Sequence, residues 1–149
     1  MPTEDIPTRP PVLLHLPAFA LSHLGRVART ALKNAFTREG LSARAHFALL
    51  CLSEYGDLSQ RELADHIAMD RSDLVKLLDE LERSGQVRRE PDPRDRRRHV
   101  LSITPAGAKT LVAGEEIIDR ATDEVLARLS PEERAVLHRL TLHALDALD

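Results

Sequence analysis

The segment from Asp70 to Thr104 limits the possible folds more than any other part of the chain. Leucines recur at 74, 77, 78 and 81, the spacing of one helical face. Asp70 is a suitable N-cap for that helix and Gly85 a suitable stop. Two short β-like stretches follow, 86–90 and 99–103, with the polar run 91–98 between them, and this pattern predicts a hairpin. A helix leading straight into a hairpin leaves few architectures open to 149 residues, a length that suits one domain with or without a dimerising extension.

The flanking sequence narrows the choice. Residues 1–13 hold Pro2, Pro7, Pro10 and Pro11 and read as an extended arm. A helix is expected from about Pro17 to Arg38, striped by Leu24, Val27, Ala28, Ala31, Leu32 and Ala35 and closed by Gly40. Ser42 caps a second helix, whose run Phe47 to Leu52 is apolar all round and is expected to be buried. Ser59-Gln60-Arg61-Glu62 has capping-box spacing and opens a short helix with Leu63, Ala64 and Ile67. Beyond the hairpin, Thr104-Pro105 starts a helix to about Arg128, with Leu111, Ile118, Val125 and Leu129 near one side. Ser130-Pro131-Glu132-Glu133 starts the last helix, which is lined by Val136, Leu137, Leu140 and Leu145.

The expected fold is mainly α with a small β-hairpin wing (α+β). A winged helix-turn-helix over about 41–103 is flanked by helices at about 14–40 and 105–149, in a single domain of residues 1–149. The flanking helices carry more apolar surface than so small a core covers, so a second copy is expected to cover it and make a homodimer.

Several classes of function drop out. Cys51 stands alone, which rules out an intramolecular disulfide framework and a multi-cysteine zinc site; in an apolar helix it reads as an inert core thiol. No apolar run nears the ~20 residues that span a bilayer. Pro2, Glu4 and Asp5 stand where a signal peptide would be basic, so a cytoplasmic protein with no membrane partner is expected. No glycine-rich phosphate loop, base-paired nucleophile or metal-ligand cluster is found, so neither an enzyme, a metal site nor a cofactor is expected. Histidines 15, 23, 46, 138 and 143 include no His-x-x-x-His pair on one helical face.

The formal net charge of −3 argues against a polyanionic partner, but its distribution argues for one. From Arg83 to His99, seven arginines against three acids leave +4, so the rest of the chain carries −7. Such a dipolar chain presents one basic strip to nucleic acid and repels it elsewhere. On the leucine-striped helix, Arg71, Ser72, Val75 and Lys76 fall on the outer N-terminal half. Arg71 and Lys76 suit guanine edges or phosphates, Ser72 either, and Val75 a thymine methyl. Asp73 reads either as an N3 acid in a capping box with Asp70 or as an acceptor from cytosine N4. In the hairpin, Asp92-Pro93 favours a turn. Asp95 and Arg97, two apart, face one side and suit a bidentate carboxylate–guanidinium pair, which leaves Arg94, Arg96 and Arg98 for a partner. An arginine at such a tip suits a narrow minor groove.

The run Asp92-Pro93-Arg94-Asp95-Arg96-Arg97, followed by Leu101-Ser102-Ile103-Thr104-Pro105-Ala106-Gly107, resembles the wing signature of the MarR family, D-P-x-D-x-R and then L-T-x-x-G. Leu63-Ala64 and the stretch from Leu78 to Val87 are similar to that family's helix-turn-helix, and the resemblance extends over about residues 20–145. It departs at Asp73 and Val75, where the family often has Ser or Thr. The resemblance implies a dimeric, sequence-specific regulator of transcription that binds a pseudo-palindrome in double-stranded DNA. It further implies a repressor of its own or neighbouring genes, released by a small ligand held between the flanking helices and the DNA-binding lobe. His15, His23, Arg26, Arg29 and His46 are the polar candidates for that ligand. The first helix has no cysteine, unlike the organic-peroxide-sensing branch. The alternative is a winged-helix protein-interaction module without DNA binding; the arginine-rich wing and the cationic helix start argue against it.

Overall fold

Caps and glycines set the element boundaries. The computed structural model describes residues 11–146 and gives α1 (Pro11–Leu14), α2 (Pro17–Arg38), α3 (Ala43–Tyr55), β1 (Leu58–Ser59), α4 (Gln60–His66) and α5 (Arg71–Arg83). β2 (Val87–Pro91), β3 (His99–Ile103), α6 (Pro105–Val125) and α7 (Pro131–Asp146) complete the order. Ser42 accepts the Ala45 amide at the start of α3. Ser59 and Glu62 form the full capping box of α4, with bonds of 3.2 and 2.7 Å. Ser130 and Glu133 bond reciprocally in the same way at α7. α5 ends where Gly85 takes φ +72°, which lets the Gln86 amide return to the Leu81 carbonyl at 2.9 Å.

The chain divides into two units. One runs from Lys33 to Asp119 and contains α3, α4, α5 and the sheet, with the end of α2 and most of α6. Its sheet is antiparallel in the order β1-β3-β2, with Leu58 opposite Leu101 and Val87 opposite Ile103. Leu49, Leu52, Leu63, Leu74, Leu78 and Leu101 are fully buried in one core that fastens α5 to the hairpin. Each such leucine contributes about 1.5–3 kcal/mol of apolar burial. The other unit comprises the chain up to Leu32 and from Arg120 onward. There Arg134 closes the α6–α7 turn: its Nε donates to the carbonyls of Leu126 and Leu129, and a guanidinium nitrogen sits 2.6 Å from Asp123. Leu21, Leu24, Ala28, Val125, Leu126 and Leu137 line an open apolar groove in this unit.

Several expectations need correction. Residues 11–14 are helical rather than part of an extended arm; residues 1–10 of that arm, and 147–149 of the last helix, lie outside the described residues. Phe47 and Leu50 are 38% and 43% exposed, because α3 lies at the edge of its unit and buries only His46, Ala48, Leu49 and Leu52. On α6 the buried positions are Leu111, Gly114, Ile117 and Ala121, a three-to-four-residue stripe in which Ile117 rather than Ile118 turns inward. Val136, Leu140 and Leu145 on α7 are all exposed. β1 was not foreseen, since two residues carry no periodicity. Among the described residues, no helix is long and apolar enough to cross a membrane.

Candidate nucleic-acid interface

The leucine stripe of α5 faces the core, and this leaves Arg71, Ser72, Asp73, Val75 and Lys76 exposed on the opposite, N-terminal half. Two of the five are occupied. Asp70 Oδ1 accepts the Ser72 amide at 2.8 Å and its hydroxyl at 2.5 Å, and these bonds hold the Asp70 carboxyl below its ordinary pKa. The Asp73 carboxylate lies 4.0 Å from the Arg44 guanidinium. The capping box expected of Asp70 and Asp73 is not formed: among the described residues the Asp70 amide receives no bond from Asp73. Asp73 swings to the nearby cation on α3 instead. Arg71, Val75 and Lys76 therefore stay open to a partner.

The turn between β2 and β3 is built from aspartates bonding to their own backbone. Asp92 Oδ1 accepts the Arg94 amide at 2.9 Å and Asp95 Oδ1 the Arg97 amide at 3.0 Å. The Asp92 amide reaches the Arg98 carbonyl at 2.8 Å, and the Arg98 amide returns to the Asp95 carbonyl at 2.9 Å. The expected Asp95–Arg97 side-chain pair is thus replaced. A short carboxylate two residues before an amide closes an Asx turn locally, without ordering a long guanidinium arm. The stiffening survives by another route, and the Arg97 guanidinium is released. Arg94, Arg96, Arg97 and Arg98 are all exposed. Arg98 carries its charge near Glu62, whose carboxyl is held low first by its bonds at Ser59.

The other arginines of the strip are structural. Arg88 pairs with Glu90 on its own strand at 3.2 Å. Arg89 reaches back to α5, 3.5 Å from Asp79 and 3.8 Å from Glu82, and so ties the wing's first strand to the helix. Charge counting missed this, but strand alternation carries the signal: Arg89 shares a face with buried Val87, and Arg88 does not. Arg61 was also missed. With Gln60 and Arg71 it lines one shallow cleft, so a second guanidinium stands beside the start of α5. A charged residue in the first turn of α4, the helix preceding α5, was the available cue.

The ligand candidates fall in different places. His15 is exposed between α1 and α2. The Arg26 guanidinium donates to His23 Nδ1 at 3.0 Å, so those two are brought together on one face of α2. His46 belongs to the other unit and is 2% exposed, with no hydrogen-bond partner for either ring nitrogen. Burial pushes its pKa down, and Glu115 opposes this only in part. Cys51 is half-buried, and burial raises its thiol pKa, as suits an unreactive packing residue.

Comparison with known proteins places this geometry in a family. The model of the MarR family matches residues 41–99, from the start of the second helix to the base of the wing. A Thauera aromatica protein named as a transcriptional regulator for the hcr operon is 37% identical over 101 residues, 68% of this chain and 61% of that protein. The chain thus spans about three-fifths of the Thauera protein's length. The transcriptional regulator HosA of Escherichia coli O111:H- is 30% identical over 107 residues, 72% of this chain and 79% of HosA. Apo MarR from E. coli superposes with a TM-score of 0.80 at 21% identity, over 87% of this chain and 96% of that one. A mutant of the same protein in complex with operator DNA gives 0.71 at 22% identity, over 88% and 95%.

Proposed function

The chain belongs to the MarR family, whose members are transcriptional regulators rather than enzymes, and on that premise we propose that it acts as a homodimeric, sequence-specific DNA-binding repressor released by a small ligand. The observation that carries the proposal is that one rigid unit holds two unneutralised cationic surfaces. Arg71 and Lys76 stand on the open half of α5, and Arg94, Arg96 and Arg97 on the turn of the wing. In the DNA-bound arrangement α5 lies in the major groove, with Arg71 and Lys76 at base edges or phosphates and Val75 against a thymine methyl. The wing arginines take the flanking minor groove, where a stiff turn lowers the entropy lost on binding. Asp73 stays on Arg44 and does not touch a base.

The open apolar groove of the other unit supports the homodimer. Exposed Leu21, Val136, Leu140 and Leu145 accompany it, a density that a lone soluble chain seldom shows to water. A two-fold pair would present two copies of α5 to half-sites about one helical turn apart. The residues are accordingly assigned as a DNA-binding region at about 41–103 and dimerisation helices at about 14–40 and 105–149.

Selection of bound sequences from a random DNA pool tests the proposal, with sedimentation equilibrium on the same sample. A pseudo-palindrome and a species of twice the chain mass are expected. A monomer, or a pool that yields no enriched sequence at moderate salt, overturns it.

A further inference from the structure

Within the unit of residues 33–119 there is a cavity of about 230 Å3, among the end of α2, the start of α3 and the C-terminal half of α5. Phe36, Leu77 and Leu81 give it apolar walls; His46, Gln86 and Glu80 give it polar ones. Three polar atoms of this lining are buried with no partner: both ring nitrogens of His46 and Oε1 of Gln86. The amide end of Gln86 is satisfied, since its Nε2 donates to Ser84 Oγ at 2.7 Å, and this fixes which end is left over. Buried polar atoms are normally paired, so three orphans on one cavity mark a place where a further molecule supplies the missing groups.

The chemistry of that molecule follows from what lines the cavity. Gln86 Oε1 needs a donor, and a neutral imidazole offers one donor and one acceptor. The occupant therefore carries an N–H or O–H together with an acceptor. Among the described lining residues there is Glu80 and no lysine or arginine. Ser84, the C-cap of α5, also lines the cavity, so the negative end of that helix faces the same space. An anion would be desolvated here against like charge. The volume lies below the ~300–1,000 Å3 of sites for drug-sized ligands, which limits the occupant to about one ring.

We propose that this cavity binds a neutral, single-ring molecule bearing an amide or hydroxyl donor, and that it discriminates against aromatic carboxylates. This deepens the effector part of the function proposed above and rests on that reading only for its consequence. Leu77, Glu80 and Leu81 belong to α5, so an occupant bears directly on the helix that faces DNA.

Benzamide and benzoate, alike in shape and different in charge, separate the possibilities on the full chain. Titration calorimetry and NMR of side-chain nitrogens at neutral pH should give saturable benzamide binding, with shifts at His46 and Gln86. Benzoate should bind at least about tenfold more weakly, because its charge is buried unpaired. Gln86→Met, which keeps the backbone bonds and removes the orphan acceptor, should weaken benzamide several-fold; His46→Phe should do the same if it folds. The proposal is overturned if benzamide fails to saturate by about 20 mM, an outcome that leaves the cavity to water alone. It is equally overturned if benzoate binds as tightly, or if Gln86→Met binds unchanged. DNA affinity without either compound, measured in parallel, reports on the regulator reading separately. Benzamide binding without DNA binding would sink that reading and leave the cavity assignment standing, and the converse would do the opposite.

Discussion

Gly114 should be intolerant of the smallest possible side chain. It is buried on α6, and a Cβ placed there would run into Nδ1 and Cε1 of the His46 ring. The ring has little freedom to retreat, since Phe36 packs on it at 5.3 Å between centroids and Phe47 meets it edge-on at 6.0 Å. Two effects of Gly114→Ala oppose each other. Alanine is the better helix former by about 1 kcal/mol. Forcing extra volume into a packed core costs about 1–3 kcal/mol. The colliding atoms belong to a rigid ring and not to the end of a flexible chain, so the upper part of that range applies and the net loss is about 1–2 kcal/mol. In a His46→Ala background the obstacle is gone, and the same change should stabilise by up to about 1 kcal/mol. Urea unfolding of the four proteins at one concentration, with unchanged m-values, measures both quantities. Stabilisation of the otherwise unmodified chain by Gly114→Ala, or an equal loss in both backgrounds, would refute the reasoning.

Burial holds the His46 imidazole below its ordinary pKa of 6.5, so the unfolded chain takes up the proton first as pH falls. Stability complete above about pH 6.5 should then decline below it, and His46→Phe should flatten the urea midpoint between about pH 7 and pH 5.5. Ser59→Ala removes the hydroxyl that accepts the Glu62 amide and should cost about 1 kcal/mol in the same assay, whereas an unchanged midpoint would show that the α4 cap contributes nothing. Asp73→Ala breaks only an exposed pair with Arg44, so it should change stability by less than about 0.5 kcal/mol and leave base preference intact; relaxed preference at one position per half-site would show that Asp73 reads a base.

What the sequence made legible was decided within a few residues of itself. The caps at Ser42, Ser59, Asp70 and Ser130, the leucine stripe of α5 and the hairpin depend on local spacing, and the structure holds each of them. The misreadings came where two local options competed or a distant residue decided. Asp95 had an amide and a guanidinium within reach, and the amide, already fixed in the turn, was the closer partner. Asp73 could have capped its own helix but lies nearer Arg44, on the preceding helix α3. Nothing near His46 marks it for burial; that follows from a glycine on α6 whose missing side chain makes space for a ring. The orphaned Gln86 oxygen is equally invisible in one dimension, because it depends on where three helices stop short of one another.

The central claim is that the open half of α5 and the turn of the wing act together on DNA. The most direct test is the salt dependence of affinity for the selected operator, compared between the unmodified dimer and Arg94→Ala/Arg96→Ala. Each arginine–phosphate pair removed should make the slope of log affinity against log salt shallower by about 0.9, and the double variant should bind more weakly at every salt concentration while its unfolding midpoint stays unchanged. An unaltered slope and an unaltered affinity would contradict the account and reduce the wing to a solvated hairpin.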